Sequence, residues 1–242
     1  MNINLEELAN HFWENGYVVI DNFFEPELMD VLNEVIINHF GETPDYEHNE
    51  EFLTKSKAEV VPWFPQLDGV IDFNIIDDNP SLQALTAAIL GDHWQEQYCM
   101  IMYSMQDTAG QGWHQDCPPE DSMMFNMNRL VYTHDINDEI GGQTVVVPGT
   151  HKKGLLPAGD LDVSFENQVV LEPKKGTLVL LHGHCWHRVL PVKGKYRVST
   201  NYRSTPEGVP AGITDICVYR NMRYRFSTSE VIEDRLAQPR QA

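Results

Sequence analysis

From about Gln97 onward the chain changes character, and that change limits what it can fold into. Short segments rich in Val, Leu, Tyr and Met follow one another, punctuated by glycine and proline. The candidate strands are Tyr98–Met105, Arg129–Thr133, Thr144–Val147, Val169–Leu171, Thr177–His182, Tyr196–Tyr202 and Ile216–Tyr219. No helical pattern separates them, which indicates a closed or double-sheet β architecture such as a jelly roll.

The first ninety residues read differently. Leu5, Leu8, Ala9 and Phe12 recur at i, i+3, i+4 and i+7, the stripe of an amphipathic helix. Gly16 to Ile20 is a short apolar strand. Pro26 opens a second helix with Leu28, Val31, Leu32, Val35 and Ile36 on one face. Asn79-Pro80 supplies an N-cap and a first-turn proline for a third helix, and Gly91 ends it. Residues 41–76 are acidic and irregular, either a lid or a long connection. The expectation is one domain over 1–242, with 1–95 a mainly helical buttress and 96–220 the jelly-roll core.

A chain of 242 residues can bury a full core, and 42% apolar with 22% charged residues is an ordinary globular balance. The formal charge of −19 argues against nucleic acid or an anionic membrane as partner. The acidic, amphipathic start is not a signal peptide, and no apolar run approaches a membrane span, so the expected location is the cytoplasm. The oligomeric state is not legible. Cys99, Cys117, Cys185 and Cys217 lie far apart and read as packing residues.

Chemistry enters at Trp113-His114-Gln115-Asp116. On an extended segment His114 and Asp116 project to one face, as two ligands of one metal must. Trp113 is a candidate wall of that site. Taken singly, His114 also suits a core histidine, and Asp116 a turn residue before Pro118-Pro119. A further ligand can come from His182, His184 or His187. The first two form a cupin-like His-x-His, but the Glu such a site wants is missing from the next fifteen residues. His187 is preferred because Arg197 is expected across a short hairpin, turned by Val192–Lys195. Two imidazoles and a carboxylate leave coordination positions open on iron(II). A guanidinium fork nearby suits the far carboxylate of a bidentate acid. The alternative for Arg197 is a surface ion pair. Arg188 and His134 are weaker candidates to face a substrate, and Arg220, Arg223 and Arg225 form a local basic patch.

The order of these features resembles the phytanoyl-CoA dioxygenase family of iron(II)/2-oxoglutarate oxygenases. Trp113–Asp116 looks like its W-H-x-D. Gly142–His151 resembles G-x-T-x-x-x-P-G-S-H, with Thr150 in the Ser position. Gly176–His187 is similar to G-D-x-x-x-x-H-G-x-x-x-H, with Thr177 in place of Asp, and Gly16–Val19 with Phe23-Phe24 is similar to G-Y-V-V-x-x-x-F-F. The chain differs in carrying Val189 and Val192 where many members have Ser and Asn. The resemblance implies a double-stranded β-helix with iron held by His114, Asp116 and His187. It implies Arg197 as anchor of the 2-oxoglutarate C5 carboxylate, with Thr144 beside it. The implied activity is oxidation by dioxygen, foremost hydroxylation, of a small organic molecule, with release of succinate and carbon dioxide. Two rival classes stay open at this point: a redox-inert, cupin-like metal-binding protein, and a non-catalytic binding module of the same fold.

Overall fold

The computed structural model describes residues 4–236. The side chain of Asn4 accepts a hydrogen bond from Glu7 N and starts α1 (Leu5–Asn15), which Gly16 closes with a φ of +80°. β1 (Tyr17–Ile20) follows. Pro26 opens α2 (Pro26–Phe40), where its missing N–H is harmless because first-turn donors have no helical partner. α3 (Glu50–Ser56), β2 (Val61–Trp63) and α4 (Asn74–Asp77) lie within the acidic segment. In α5 (Pro80–Leu90) the Asn79 side chain accepts from Ser81 N at 3.0 Å and Leu82 N at 3.1 Å. Replacing that cap, Asn79→Ala, is expected to lower unfolding free energy by about 1 kcal/mol. Urea denaturation checks this, and an unchanged midpoint would remove the cap from the stability argument.

Strands dominate the rest: β3 (Gln95–Met105), β4 (Gln111–Gln115), β5 (Met127–Val131), β6 (Thr144–Val146), β7 (Val169–Leu171) and β8 (Leu178–His182). β9 (His187–Val189), β10 (Tyr196–Thr205), β11 (Ile216–Tyr219), β12 (Met222–Arg225) and β13 (Glu230–Asp234) complete them. They form two antiparallel sheets, ordered β1-β8-β5-β10-β3-β2 and β13-β12-β11-β4-β9-β6-β7. This is the jelly-roll architecture expected.

Strand alternation decides what each face of the six-stranded sheet does. Cys99, Ile101 and Tyr103 of β3, with Val198 and Tyr202 of β10, point outward. They pack against Phe12, Leu32, Ile36, Ile76, Leu85 and other side chains of the N-terminal helices in the main apolar core. The alternate residues, Tyr98, Met100 and Met102 of β3 and Arg197, Ser199, Asn201 and Arg203 of β10, point inward and line a cavity between the sheets. The helices therefore buttress one sheet from behind and leave its polar face for the site.

Three expectations need correction. The face of α2 toward the core is centred on Met29, Leu32, Ile36 and Phe40, with Leu28 and Val35 at its margin, whereas Val31 is exposed. His187 and Arg197 do not face each other across a hairpin. β9 pairs with β4 and β6, β10 pairs with β3 and β5, and the connection between them crosses from one sheet to the other. Trp113 does not wall the cavity, since it alternates with His114 and points away into a cluster with Phe165 and Trp186.

Candidate metal centre

Register brings the two preferred histidines together. His114 of β4 and His187 of β9 are directly opposed in the antiparallel pair. Opposed side chains on one sheet face lie within contact distance, and the two rings sit with centroids 4.0 Å apart. Asp116 follows two residues after His114 on the same side, just past β4, its backbone N–H held by Gly183 O at 2.8 Å. The carboxylate reaches both rings: Oδ1 is 3.7 Å from His114 Nε2 and Oδ2 is 3.5 Å from His187 Nε2. All three side chains are buried, and their ligand atoms lie within 4.8 Å of one another. Among the described residues this is the one such group of three able to meet a single metal ion.

The protonation states suit a metal. His114 Nδ1 donates to Gly112 O at 2.9 Å, and His187 Nδ1 donates to Cys185 O at 2.9 Å. A carbonyl only accepts, so each ring carries a proton on Nδ1 and turns Nε2 toward Asp116. Burial, with His187 alongside, pushes the His114 imidazole down to about 3, so it is neutral. Burial alone would raise the Asp116 carboxyl. The Arg203 guanidinium, the two imidazoles and Asn128 outweigh it and hold the group down at about 2. Two imidazole nitrogens and a carboxylate oxygen, each side chain fixed by a second hydrogen bond, fit a divalent metal.

A second feature of the same cavity fits an acid. Arg197 is buried, its Nε donates to Gly142 O at 3.1 Å, and one terminal nitrogen lies 3.5 Å from Thr144 Oγ1. No carboxylate pairs with it among the described residues; its neighbour of opposite tendency is the Tyr132 hydroxyl. A buried cation without an anion costs several kcal/mol, so an anionic ligand would suit Arg197. Gly142 makes room for the arginine, because a Cβ there would come within 2.6 Å of Arg197 Cγ and its φ is +68°.

The cavity encloses about 530 Å³, a size typical of small-molecule sites. Besides His114, Asp116, His187, Arg197 and Thr144, it is lined by Tyr46 to Asn49, Val60, Pro62 and Phe64. The acidic segment over 41–76 is thus part of the cavity wall as well as a connection. Arg188 stacks on Trp113, and His134 Nε2 accepts from Val198 N; neither lines the cavity. His182 is stacked on Phe125 at 4.0 Å, while His184 Nε2 contacts Pro118 O, so the pair is committed to a cluster of its own. Arg220 covers Phe165, and Arg223 pairs with Glu120 and Glu233.

Sequence reasoning missed Arg203, Asn128, Asn201 and Ser199, all of which line the cavity. The signal for three of them was present. Arg197, Ser199, Asn201 and Arg203 share one parity, and the expected strand stopped at Tyr202 where β10 continues to Thr205.

A two-histidine, one-carboxylate face inside a double-stranded β-helix, with a buried arginine beside it, defines the class of non-haem iron oxygenases that use a 2-oxo acid. The comparisons agree. The profile of the phytanoyl-CoA dioxygenase family (PhyH) matches residues 12–196, and the chain belongs to that family. A search of curated proteins found no match. Among solved structures, HygX from Streptomyces hygroscopicus with nickel and 2-oxoglutarate bound is 15% identical, with a TM-score of 0.67 over 84% of this chain and 87% of that one. The epimerase SnoN, in complex with Fe3+, alpha ketoglutarate and nogalamycin RO, is 16% identical, with a TM-score of 0.65 over 86% and 87%. Identities this low speak to the fold; family membership carries the activity. The protein is an iron(II)- and 2-oxoglutarate-dependent dioxygenase.

Proposed function

We propose that His114, Asp116 and His187 hold the iron, that Arg197 and Thr144 anchor the C5 carboxylate of 2-oxoglutarate, and that the reaction hydroxylates a small organic molecule. The observation that carries this reading is the coincidence, in one cavity, of the three ligand side chains and a buried arginine with no acidic partner. Bound iron, with 2-oxoglutarate and dioxygen, supplies the oxidising chemistry that yields succinate and carbon dioxide and oxygenates a C–H bond.

The chain's own part is binding, orientation and exclusion of water. The Nδ1 hydrogen bonds keep both imidazoles turned, with Nε2 toward Asp116. Arg197 holds a carboxylate at the end of β10, and its fork fixes the direction of the acid's chain. Met100, Met102, Val60, Pro62 and Phe64 give an apolar wall for the body of a substrate and keep water from the reacting centre. One domain over 1–242 and a cytoplasmic location belong to this reading. No helix among the described residues is long and apolar enough to cross a membrane, and all four cysteines are free and buried.

The test is turnover in labelled dioxygen with iron(II), 2-oxoglutarate and a panel of small metabolites. Succinate release that one compound stimulates, with label in both succinate and product, is the expected result. Stimulated succinate with an unlabelled, desaturated or epimerised product would overturn hydroxylation. Absence of any 2-oxoglutarate consumption by iron-loaded protein would overturn the whole assignment.

A further inference from the structure

Asp116 is more closely held than either histidine. Its two oxygens have different partners, both buried: Arg203 donates to Oδ1 at 3.2 Å, and the Asn128 side-chain amide donates to Oδ2. Any rotation of the carboxylate breaks one of the two bonds.

The Asn128 amide cannot turn round. Its carbonyl oxygen accepts from Asn126 Nδ2 at 2.9 Å and from Asn201 Nδ2 at 3.0 Å, so its NH2 group is left for Asp116. An ionised carboxylate only accepts, so this is the one polarity that satisfies the centre of the network. It is kept at a cost, because Asn126 Oδ1 and Asn201 Oδ1 are buried without partners. Arg203 is similarly dedicated. Asp116 is its one hydrogen-bond partner among the described residues, its Nε has none, and its guanidinium otherwise rests over the Tyr98 ring at 5.8 Å. Two buried polar groups whose other options are closed converge on one carboxylate.

We infer that Asn128 and Arg203 are positioning residues that clamp Asp116 in the orientation it needs as a metal ligand. The inference rests on Asp116 being that ligand. A carboxylate free to turn presents one oxygen or two to a metal. One held at both oxygens presents a fixed edge and leaves neighbouring coordination positions for the co-substrate and dioxygen. The β-sheet provides the clamp. Asn128 on β5 and Arg203 on β10 are directly opposed in register, so both side chains rise from adjacent strands toward Asp116 on the facing sheet.

The experiment uses full-length protein freed of metal and titrated with manganese(II), which binds without turnover; free manganese is read by electron paramagnetic resonance. Cobalt(II) loading of the same proteins gives a visible spectrum sensitive to coordination number. The variants are Asn128→Ala, Arg203→Met and Arg203→Lys, with Asp116→Ala as control. Loss of an outer partner of a metal ligand costs about 10–100-fold in affinity. Asn128→Ala and Arg203→Met are each expected to weaken manganese binding at least about tenfold and to change the cobalt spectrum. Arg203→Lys keeps the charge and is expected to recover part of the loss. Lower melting temperatures with manganese affinity within twofold of the parent and an unchanged cobalt spectrum would mean a merely structural role and would overturn the clamp. Should Arg203→Met fail to fold, Asn128→Ala and Arg203→Lys decide the matter by the same two readouts. If Asp116→Ala itself binds manganese as the parent does, it is the ligand assignment that fails, which separates the two outcomes.

Discussion

Alanine at His114, Asp116 or His187 is expected to abolish 2-oxoglutarate turnover and to weaken iron(II) binding by more than about a hundredfold. Each substitution removes a donor atom outright, which must exceed the 10–100-fold effect of losing an outer partner. His182→Ala is the informative contrast. His182 lies five positions from His187 in sequence, in the same histidine-rich run. In space it belongs to a different cluster, stacked on Phe125 and close to Phe12 and His151. Its replacement leaves a hole among aromatic rings and is expected to lower thermal stability while iron affinity and turnover persist. Anaerobic iron binding and succinate release, measured on the four variants side by side, check this. Normal iron affinity in His187→Ala together with its loss in His182→Ala would show that the wrong histidine has been assigned.

That contrast also marks what the sequence made legible. The period-2 spacing of His114 and Asp116 implied a shared face, and the geometry bears out that implication because β4 is extended up to Gln115. The choice of His187 over His182 had a weaker basis, since it leaned on a hairpin that does not exist. Arg197 reaches the cavity by another route: the chain crosses to the facing sheet, and strand parity then turns Arg197 inward. Local spacing cannot distinguish a hairpin from a sheet-to-sheet crossing, because both need only a short turn such as Val192–Lys195. The missed strands fail for a related reason. β12 and β13 carry Arg223, Arg225, Glu230, Glu233 and Asp234, so charge masks their alternation, and β2 and β9 are three residues long. Asn128 and Arg203 were hidden more deeply. Their significance lies in meeting Asp116 across the cavity, at separations of 12 and 87 residues that no local pattern encodes.

Replacing Arg197 is expected to produce the largest effect outside the triad, and to show it in the demand for 2-oxoglutarate. Arg197 is 3% exposed, and its Nε is tied to Gly142 O, with one terminal nitrogen beside the Thr144 hydroxyl in the cavity. A carboxylate placed there receives charge-assisted bonds in a water-poor setting, where they are stronger than neutral ones. Arg197→Leu would leave that carboxylate buried and unpaired, a penalty of about 3–5 kcal/mol, or at least about a hundredfold in affinity. Arg197→Lys keeps the charge but not the fork, so a loss of about tenfold, near 1.4 kcal/mol, is expected. Thr144→Val, which removes only the hydroxyl beside the arginine, should shift the same titration in the same direction and by less. Iron affinity without 2-oxoglutarate should stay near that of the parent in all three, since Arg197 and Thr144 touch none of the three metal-ligand side chains in the hydrogen-bond network described. The measurement is a 2-oxoglutarate titration of the anaerobic iron complex, followed by its visible absorption. A Leu variant that saturates at the parent's concentration would take Arg197 out of the co-substrate site and leave its buried charge without an explanation.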